Sequence, residues 1–260
     1  NGGGVQHSVF ADAMKDRGWK PLERESYENS LYQVFDLHEK NVMQDADGNF
    51  YVIDAVPRTK HTQDFAIVRN DRSAYNADGD IDYAEVTDTA KKVISGVHSI
   101  KRLTPAGEEG RIRSGQRGVE ASIVVGTIPA TDTVGGAGAR KVAEEQALEK
   151  YAKHEGIWFD YNQLVNKDLT YFAQGTEAKV YRDENDPGFV TKLAPIPVVF
   201  GADSSVLRFF DDKLGIHNSL PFTAPYELVG FTRDNSGTFL AVLRQPLIQG
   251  KEITAPVAEF

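Results

Sequence analysis

The sequence predicts an α+β fold, and three observations carry that prediction. Residues 169–243 hold short apolar segments of period-two character separated by turn residues, the pattern of strands. Two stretches with helical spacing, 141–154 and 204–216, lie ahead of those segments and among them. Near the start of the chain, MQDADGNFYVID (43–54) reads as a hairpin. The second half of the chain therefore runs three strands, one helix, two strands.

Taken in order, residues 1–8 (NGGGVQHS) read as a flexible lead. Val9 to Arg17 place apolar residues at helical spacing, with Gly18 as the stop. Tyr32 to Phe35 is a short apolar run leading into a loop at Asp36. Val42 and Met43 form one short strand, Asp47-Gly48-Asn49 turns it, and Phe50 to Ile53 forms the next. The DADGN of that turn looks like half a calcium loop, but no glutamate falls at its twelfth position, and a plain hairpin turn is the better reading. Asp78, Asp80 and Asp82 could gather a cation, although Ile81 stands where a calcium loop needs glycine. Val86 to Ile94 reads as a short helix and 105–118 as loop. Gly126 to Arg140 (GTIPATDTVGGAGAR) reads as a linker; its GGAG could hold a phosphate at a helix start, but the lysine of a phosphate loop is missing.

Lys141 to His154 is a helix with Val142, Leu148, Tyr151 and Ala152 on one face and Gly156 ending it. Thr170–Phe172, Ala178–Arg182 and Gly188–Leu193 are strands, turned at Gly175 and at Asp186-Pro187-Gly188. Ser204 to Ile216 is a helix capped by Ser204 or Ser205. Tyr226–Thr232 and Thr238–Leu243 complete the strands across an Asp234–Gly237 turn.

Composition narrows the function. A chain of 260 residues with 40% hydrophobic and 26% charged residues can bury a sizeable core. A net charge of −9 argues against a general nucleic-acid binder. With no cysteine, disulfides and thiolate metal sites are excluded, which fits a cytoplasmic setting. No apolar run approaches a membrane span and no signal-peptide pattern is present. The chain starts at Asn1 rather than Met, as a fragment of a longer polypeptide would.

Two groups of polar residues stand out. Gly175, between two strands with Val180 five residues on, would let a hairpin lie over a nucleotide and offer N–H groups to its phosphates. Lys192, in the strand FVTKLA, could cross an apolar pocket and present its ammonium to α/β-phosphates; the competing reading is a lysine facing solvent. Asp211 and Asp212 on the following helix could pair with Lys192, though at least one of them fits a solvated face. In DLHEKNVMQDADGNFYVID (36–54), Asp36 is followed by Asn41 five residues on and by Asp54 thirteen residues after that.

This set resembles the protein kinase-like fold, where a catalytic Asp, an Asn and a metal-binding Asp recur at those intervals. The details QGTEAKVY, FDDKLGIHN, YELVGF, Gln245-Pro246 and DLHEKNV are most similar to the kinase-like domain of polyvalent proteins of phages and mobile elements. The resemblance covers about residues 9–58 and 142–250. It implies ATP and Mg²⁺ as cofactors. Asp36 would orient or deprotonate an acceptor hydroxyl, with His38 beside it holding a phosphate or the acceptor, or else supporting the loop. Asn41 and Asp54 would hold Mg²⁺. Gly175, Thr176, Glu177, Ala178, Val180, Lys192, Asp211, Asp212, Gln245 and Leu247 would form the nucleotide site.

The order of parts is unusual, because the catalytic loop precedes the glycine hairpin and the lysine. Joining Phe260 to Asn1 restores the family order, with the segment from Gln245 as the inter-lobe hinge. The resemblance thus implies a bilobal kinase-like fold in permuted order: a C-lobe-like part at 1–60, an insert or linker at 61–140, and at 141–260 a five-stranded N-lobe with one helix. A window across two tandem units, or a domain-swapped assembly, would give the same string. Several positions depart from the family pattern. Ala178 stands at a usual glycine, Val56 follows Asp54 where glycine is usual, Val34 replaces a histidine, and no Ala-Pro-Glu segment follows. The expected partners are a nucleotide and an unidentified phosphoryl acceptor, protein or small molecule, with no membrane. Two other readings stay open: a nucleotide-binding but inactive interaction module of a larger polypeptide, and an α+β binding protein whose acids coincide by chance.

Overall fold

The computed structural model describes residues 3–23, 25–30, 32–59, 81–88, 90, 117–118, 120–121, 123–125, 128, 137–175, 178–196, 206, 209–220 and 222–252. The expectations at Asp78, Asp80, 91–94, 105–116, most of 126–136, Ser204 and Ser205 lie outside them. Helix and strand are mixed throughout, as an α+β chain requires.

The first helix, α1 (Gly3–Asp16), starts inside the stretch expected to be a flexible lead. Glycine is a poor helix former, and the anchor lies further along, where Phe10 and Met14 are buried among Tyr27, Phe50 and Phe222. The Phe10 ring meets Phe50 edge-on at 5.4 Å. Gly18 has φ +81°, the left-handed conformation that ends a helix at little steric cost. Strands β1 (Lys20–Glu23), β2 (Ser26–Glu28) and β3 (Tyr32–Phe35) follow, and β6 (Val56–Thr59) joins them in a sheet of order β1-β2-β3-β6.

The expected hairpin forms between β4 (Val42–Gln44) and β5 (Phe50–Val52). Its turn is closed by Asp45, whose Oδ1 accepts from the Asn49 N–H at 2.8 Å and the Asp47 N–H at 3.0 Å. Oδ2 accepts from Asn49 Nδ2 and the Tyr51 hydroxyl. Both carboxylate oxygens thus serve the turn, which is why DADGN is a hairpin turn and no calcium loop.

The helix α2 (Ala137–His154) begins within GGAGAR, four residues ahead of the expected start. Its inward stripe is Glu144, Leu148, Tyr151 and Ala152, at i, i+4, i+7 and i+8. Val142 was expected on that stripe and is instead 53% exposed, since it falls off that row of the helix. Glu144 is buried because Arg140 Nε (2.9 Å) and the Val206 N–H (3.1 Å) both donate to it. Gly156, φ +67°, ends the helix.

The second half builds a five-stranded antiparallel sheet from β7 (Thr170–Gln174), β8 (Lys179–Arg182), β9 (Phe189–Pro195), β10 (Glu227–Arg233) and β11 (Phe239–Pro246), in the order β10-β11-β9-β8-β7. Between β9 and β10 runs a π-helix, Phe209–Ile216, where an ordinary helix was expected. Alternation divides the sheet. Phe239, Ala241, Leu243, Ala194 and Ile196 face α2 and the π-helix, together with Val86, Ala121 and Val124 from the middle of the chain. Tyr181, Leu193, Leu240 and Val242 face the opposite way, under Leu164. The stretch 157–159 docks beside β10, where Phe231 N–H donates to Ile157 O at 3.0 Å and Phe159 N–H to Phe231 O at 2.8 Å.

Strand β11 runs three residues beyond its expected end, so Gln245 and Pro246 pair with Val190 and Phe189 instead of opening a connecting segment. Residues 247–250 make the connection, and β12 (Lys251–Glu252) then pairs with β4. Gly250 is needed there: a Cβ would overlap the Gln44 carbonyl oxygen and come within 2.9 Å of its carbon.

Candidate functional site

The loop after β3 is fixed by a sequence of local contacts. Asp36 has φ +65°, a left-handed backbone that a non-glycine residue seldom adopts and that aspartate tolerates better than most. Leu37, buried, anchors the next step with its N–H donating to Glu25 O at 3.0 Å. Asn41 donates through Nδ2 to Asp36 O (2.9 Å) and to Asp36 Oδ2 (3.1 Å). His38 caps the short 3-10 helix Glu39–Asn41, its Nδ1 accepting from the Lys40 N–H. That bond fixes the neutral tautomer with its proton on Nε2, which faces Asp36 Oδ1 at 3.4 Å. Asp36 is half-exposed, so its second oxygen and the His38 Nε2 edge reach solvent together.

Asn41 also joins this loop to Asp54. Its carbonyl accepts from the Ile53 N–H at 2.9 Å, as the β4–β5 pairing runs out. The carbonyl of Ile53 then becomes a hub for the far half of the chain. It accepts from Gln245 Nε2 at 2.9 Å, from the Tyr226 hydroxyl at 3.2 Å and from Lys192 Nζ at 3.3 Å. The Tyr226 hydroxyl lies 3.1 Å from Asp54 Oδ1 and 3.1 Å from Lys192 Nζ. One level deeper, Val52 lies parallel to Thr223, with Val52 N–H on Phe222 O (2.7 Å) and Ala224 N–H on Val52 O (3.0 Å).

Asp36, Asn41, Asp54 and Lys192 are therefore gathered by a continuous run of contacts, although Lys192 is 139 residues from Ile53. Lys192 stands in a central strand, paired with Val180 on one side and Leu243 on the other, and is part-buried. It is not the solvent-facing lysine of the competing reading. Val180 lies beside it, and Ala178 packs against the core on the same face. Gly175 closes the β7–β8 turn through its N–H on Ala178 O, and its nearest neighbour would leave an added Cβ an ordinary 3.8 Å. Leu247 N–H donates to Gly188 O at 2.8 Å. Thr176 and Glu177 lie outside the described residues. Asp211 and Asp212 lie on the π-helix, with side chains outside the described part.

Tyr226 escaped the sequence reading as a site residue. It is 2% exposed, its backbone is clamped in both directions by the Asn218 amide at 2.8 Å, and the His217 ring lies 4.5 Å from its own. The available signal was strand register. Extending the β10–β11 pairing by one step sets Tyr226 opposite Gln245, so whatever Gln245 reaches, Tyr226 reaches too.

These contacts decide what the second half is related to, because residues 141–259 match a family model described as Serine/Threonine/Tyrosine Kinase found in polyvalent proteins. The chain is related to these polyvalent-protein kinases. No curated protein and no solved structure matches it. The kinase-like stretch contains Lys192, Tyr226 and Gln245, while Asp36, Asn41 and Asp54 precede it. The relationship points to a kinase-like phosphotransferase. Among the described residues no three His, Asp or Glu side chains could hold a metal by themselves, and no helix is long and apolar enough to cross a membrane.

The donor set fits Mg²⁺. With Nδ2 of Asn41 committed to Asp36, its Oδ1 is the atom left to act as a ligand, and the Asp54 carboxylate supplies a hard, charged oxygen. Mg²⁺ commonly takes one or two protein oxygens and completes its shell with water and substrate phosphates.

Proposed function

We propose that the protein is an ATP- and Mg²⁺-dependent phosphotransferase of the kinase-like fold, passing the γ-phosphoryl group to a hydroxyl acceptor. The observation that carries this is the shared Tyr226 hydroxyl: a lysine from the kinase-like sheet and an aspartate from the distant hairpin both lie 3.1 Å from one oxygen. Lys192 would neutralise the α/β-phosphates. Asp36, aimed by Asn41, would take the proton of the acceptor hydroxyl as its oxygen bonds to the γ-phosphorus. The bond to the bridging oxygen breaks in that step, and ADP leaves with the electron pair. Mg²⁺ held by Asn41 and Asp54 would offset the charge on the phosphates. The row Val180, Lys192, Leu243 would lie against the nucleotide, and 247–250 would serve as the hinge.

On this reading the chain is a permuted kinase-like domain. Residues 1–60 supply the C-lobe elements, 141–260 the N-lobe elements, and 61–140 an insert between them. The activity belongs in the cytoplasm, where its nucleotide is abundant. The acceptor is a protein or a small molecule.

Thermal melting with nucleotide tests the proposal first. A ligand at 100 times its Kd adds about 2.7 kcal/mol of stability, a readily measured shift. Mg-ATP is expected to raise the melting temperature of both wild type and Asp36→Ala, with phosphoryl transfer or ATP hydrolysis lost only in the variant. If neither Mg-ATP nor Mg-GTP moves the melting temperature, the reading fails. A shift with no turnover in wild type would leave an inactive nucleotide-binding module, the alternative that the departures at Ala178 and Val56 support.

A further inference from the structure

Resting on the phosphotransferase reading, we propose that Tyr226 is a positioning residue of the nucleotide site. Its hydroxyl holds the Lys192 ammonium and the Asp54 carboxylate apart and in register, so that phosphate and cation meet two charges already oriented. The argument begins with what these charges would otherwise do. A flexible ammonium and a carboxylate this near each other would close into a direct ion pair. Each would then satisfy the other, and a nucleotide would first have to separate them. Here the hydroxyl stands between them as acceptor to Lys192 Nζ and donor to Asp54 Oδ1, both at 3.1 Å. The ammonium also lies 5.0 Å from the centre of the tyrosine ring, so ring and hydroxyl together define its position.

A spacer works only if it is rigid. The Tyr226 ring is 2% exposed, and Asn218 bonds both its N–H and its C=O at 2.8 Å. The His217 ring lies 4.5 Å away, with its Nε2 within 3.2 Å of Ala224 O. The hydroxyl also has two acceptors within reach, Asp54 Oδ1 at 3.1 Å and Ile53 O at 3.2 Å. It has one proton to give. The charged oxygen is the stronger acceptor and takes it in this state. When a cation draws on the Asp54 oxygen, the O–H can rotate to Ile53 O with no movement of the ring. The hydroxyl can therefore release Asp54 while the geometry around it stays fixed.

Tyr226→Phe removes only that hydroxyl. Calorimetric titration of wild type and variant with Mg-ATP and with adenosine is the test. Tyr226→Phe is expected to weaken Mg-ATP binding about tenfold, the scale of one hydrogen bond to a charged group, and to leave adenosine binding unchanged. In Asp54→Asn the same substitution should have a much smaller effect on Mg-ATP, because the hydroxyl acts through that carboxylate. Equal Mg-ATP binding by wild type and Tyr226→Phe overturns the inference. Equal losses for Mg-ATP and adenosine also overturn it, since that is the mark of a packing residue. If Tyr226→Phe does not fold, Asn218→Ala, which loosens the Tyr226 backbone and keeps the hydroxyl, should show the same selective loss; its absence is equally fatal. A wild type that binds no Mg-ATP sinks the phosphotransferase reading itself, whereas a binding wild type with an unaffected variant sinks only the assignment to Tyr226.

Discussion

Replacing Gln245 with methionine isolates the contact that joins the two halves of the chain at the site. The side chain is 2% exposed, and its Nε2 donates to Ile53 O at 2.9 Å and to Ala224 O at 2.8 Å. Methionine keeps the length and much of the shape and removes both donors. The loss is smaller than two abandoned carbonyls would suggest. Ile53 O still receives Lys192 and Tyr226, and Ala224 O still faces His217 Nε2 at 3.2 Å. Two net hydrogen bonds at about 1 kcal/mol each, partly offset by a more apolar side chain, put the cost at about 1–3 kcal/mol. In a chain of this size each kcal/mol lowers the melting temperature by about 2–4 °C. Differential scanning calorimetry reads the global change, and amide hydrogen exchange reads its location. The Val52 and Ala224 N–H groups, which bond across the same junction, should exchange faster in the variant than in wild type. An unchanged melting temperature, or faster exchange spread evenly over the protein, would refute the view that Gln245 holds the hairpin to the sheet.

Two further outcomes are expected. Gly230→Ala should destabilise the protein by about 1–3 kcal/mol in chemical denaturation, because the added Cβ would overlap the Ile157 carbonyl oxygen and come within 2.7 Å of Phe159 Cε2. The bonds from the Asn49 side chain, then from the Asn49 and Asp47 N–H groups and the Tyr51 hydroxyl, hold Asp45 below the usual carboxylate range, against the push of burial. Its contribution is then complete above the ordinary aspartate pKa and is lost as the pH falls through the lowered value. Melting curves of wild type and Asp45→Ala across acid pH should accordingly converge as the pH drops; a gap that widens in acid would contradict the assignment.

The sequence by itself determined the local pieces. Asp47-Gly48-Asn49 between apolar pairs specifies a hairpin, and the structure closes it through Asp45. Gly18 and Gly156 stop their helices at the positions their φ values require. The five strands of the second half follow from alternation and turn residues, signals that span fewer than ten residues each. Where burial competes with local pattern, the sequence reading drifted: Val142 sits outside while Glu144 sits inside, because Arg140 and the Val206 N–H satisfy the carboxylate. Strand β11 outran its expected end because its partner β9 continues to Phe189.

Only the tertiary structure decided which polar residues meet. The spacing of Asp36, Asn41 and Asp54 was visible in sequence, and so was a lysine within a strand. That Asp54 shares a tyrosine hydroxyl with Lys192, and that Gln245 reaches Ile53, are contacts across 172 and 192 residues. Tyr226 reads in sequence as one more aromatic residue near a strand. Its part in the site comes from the Asn218 clamp, the strand register and the docking of Val52 beside Thr223. The physical reason is range. Backbone propensity and turn chemistry act over a few residues, so one stretch of sequence contains all that decides them. A site assembled from distant segments is fixed by how whole elements pack.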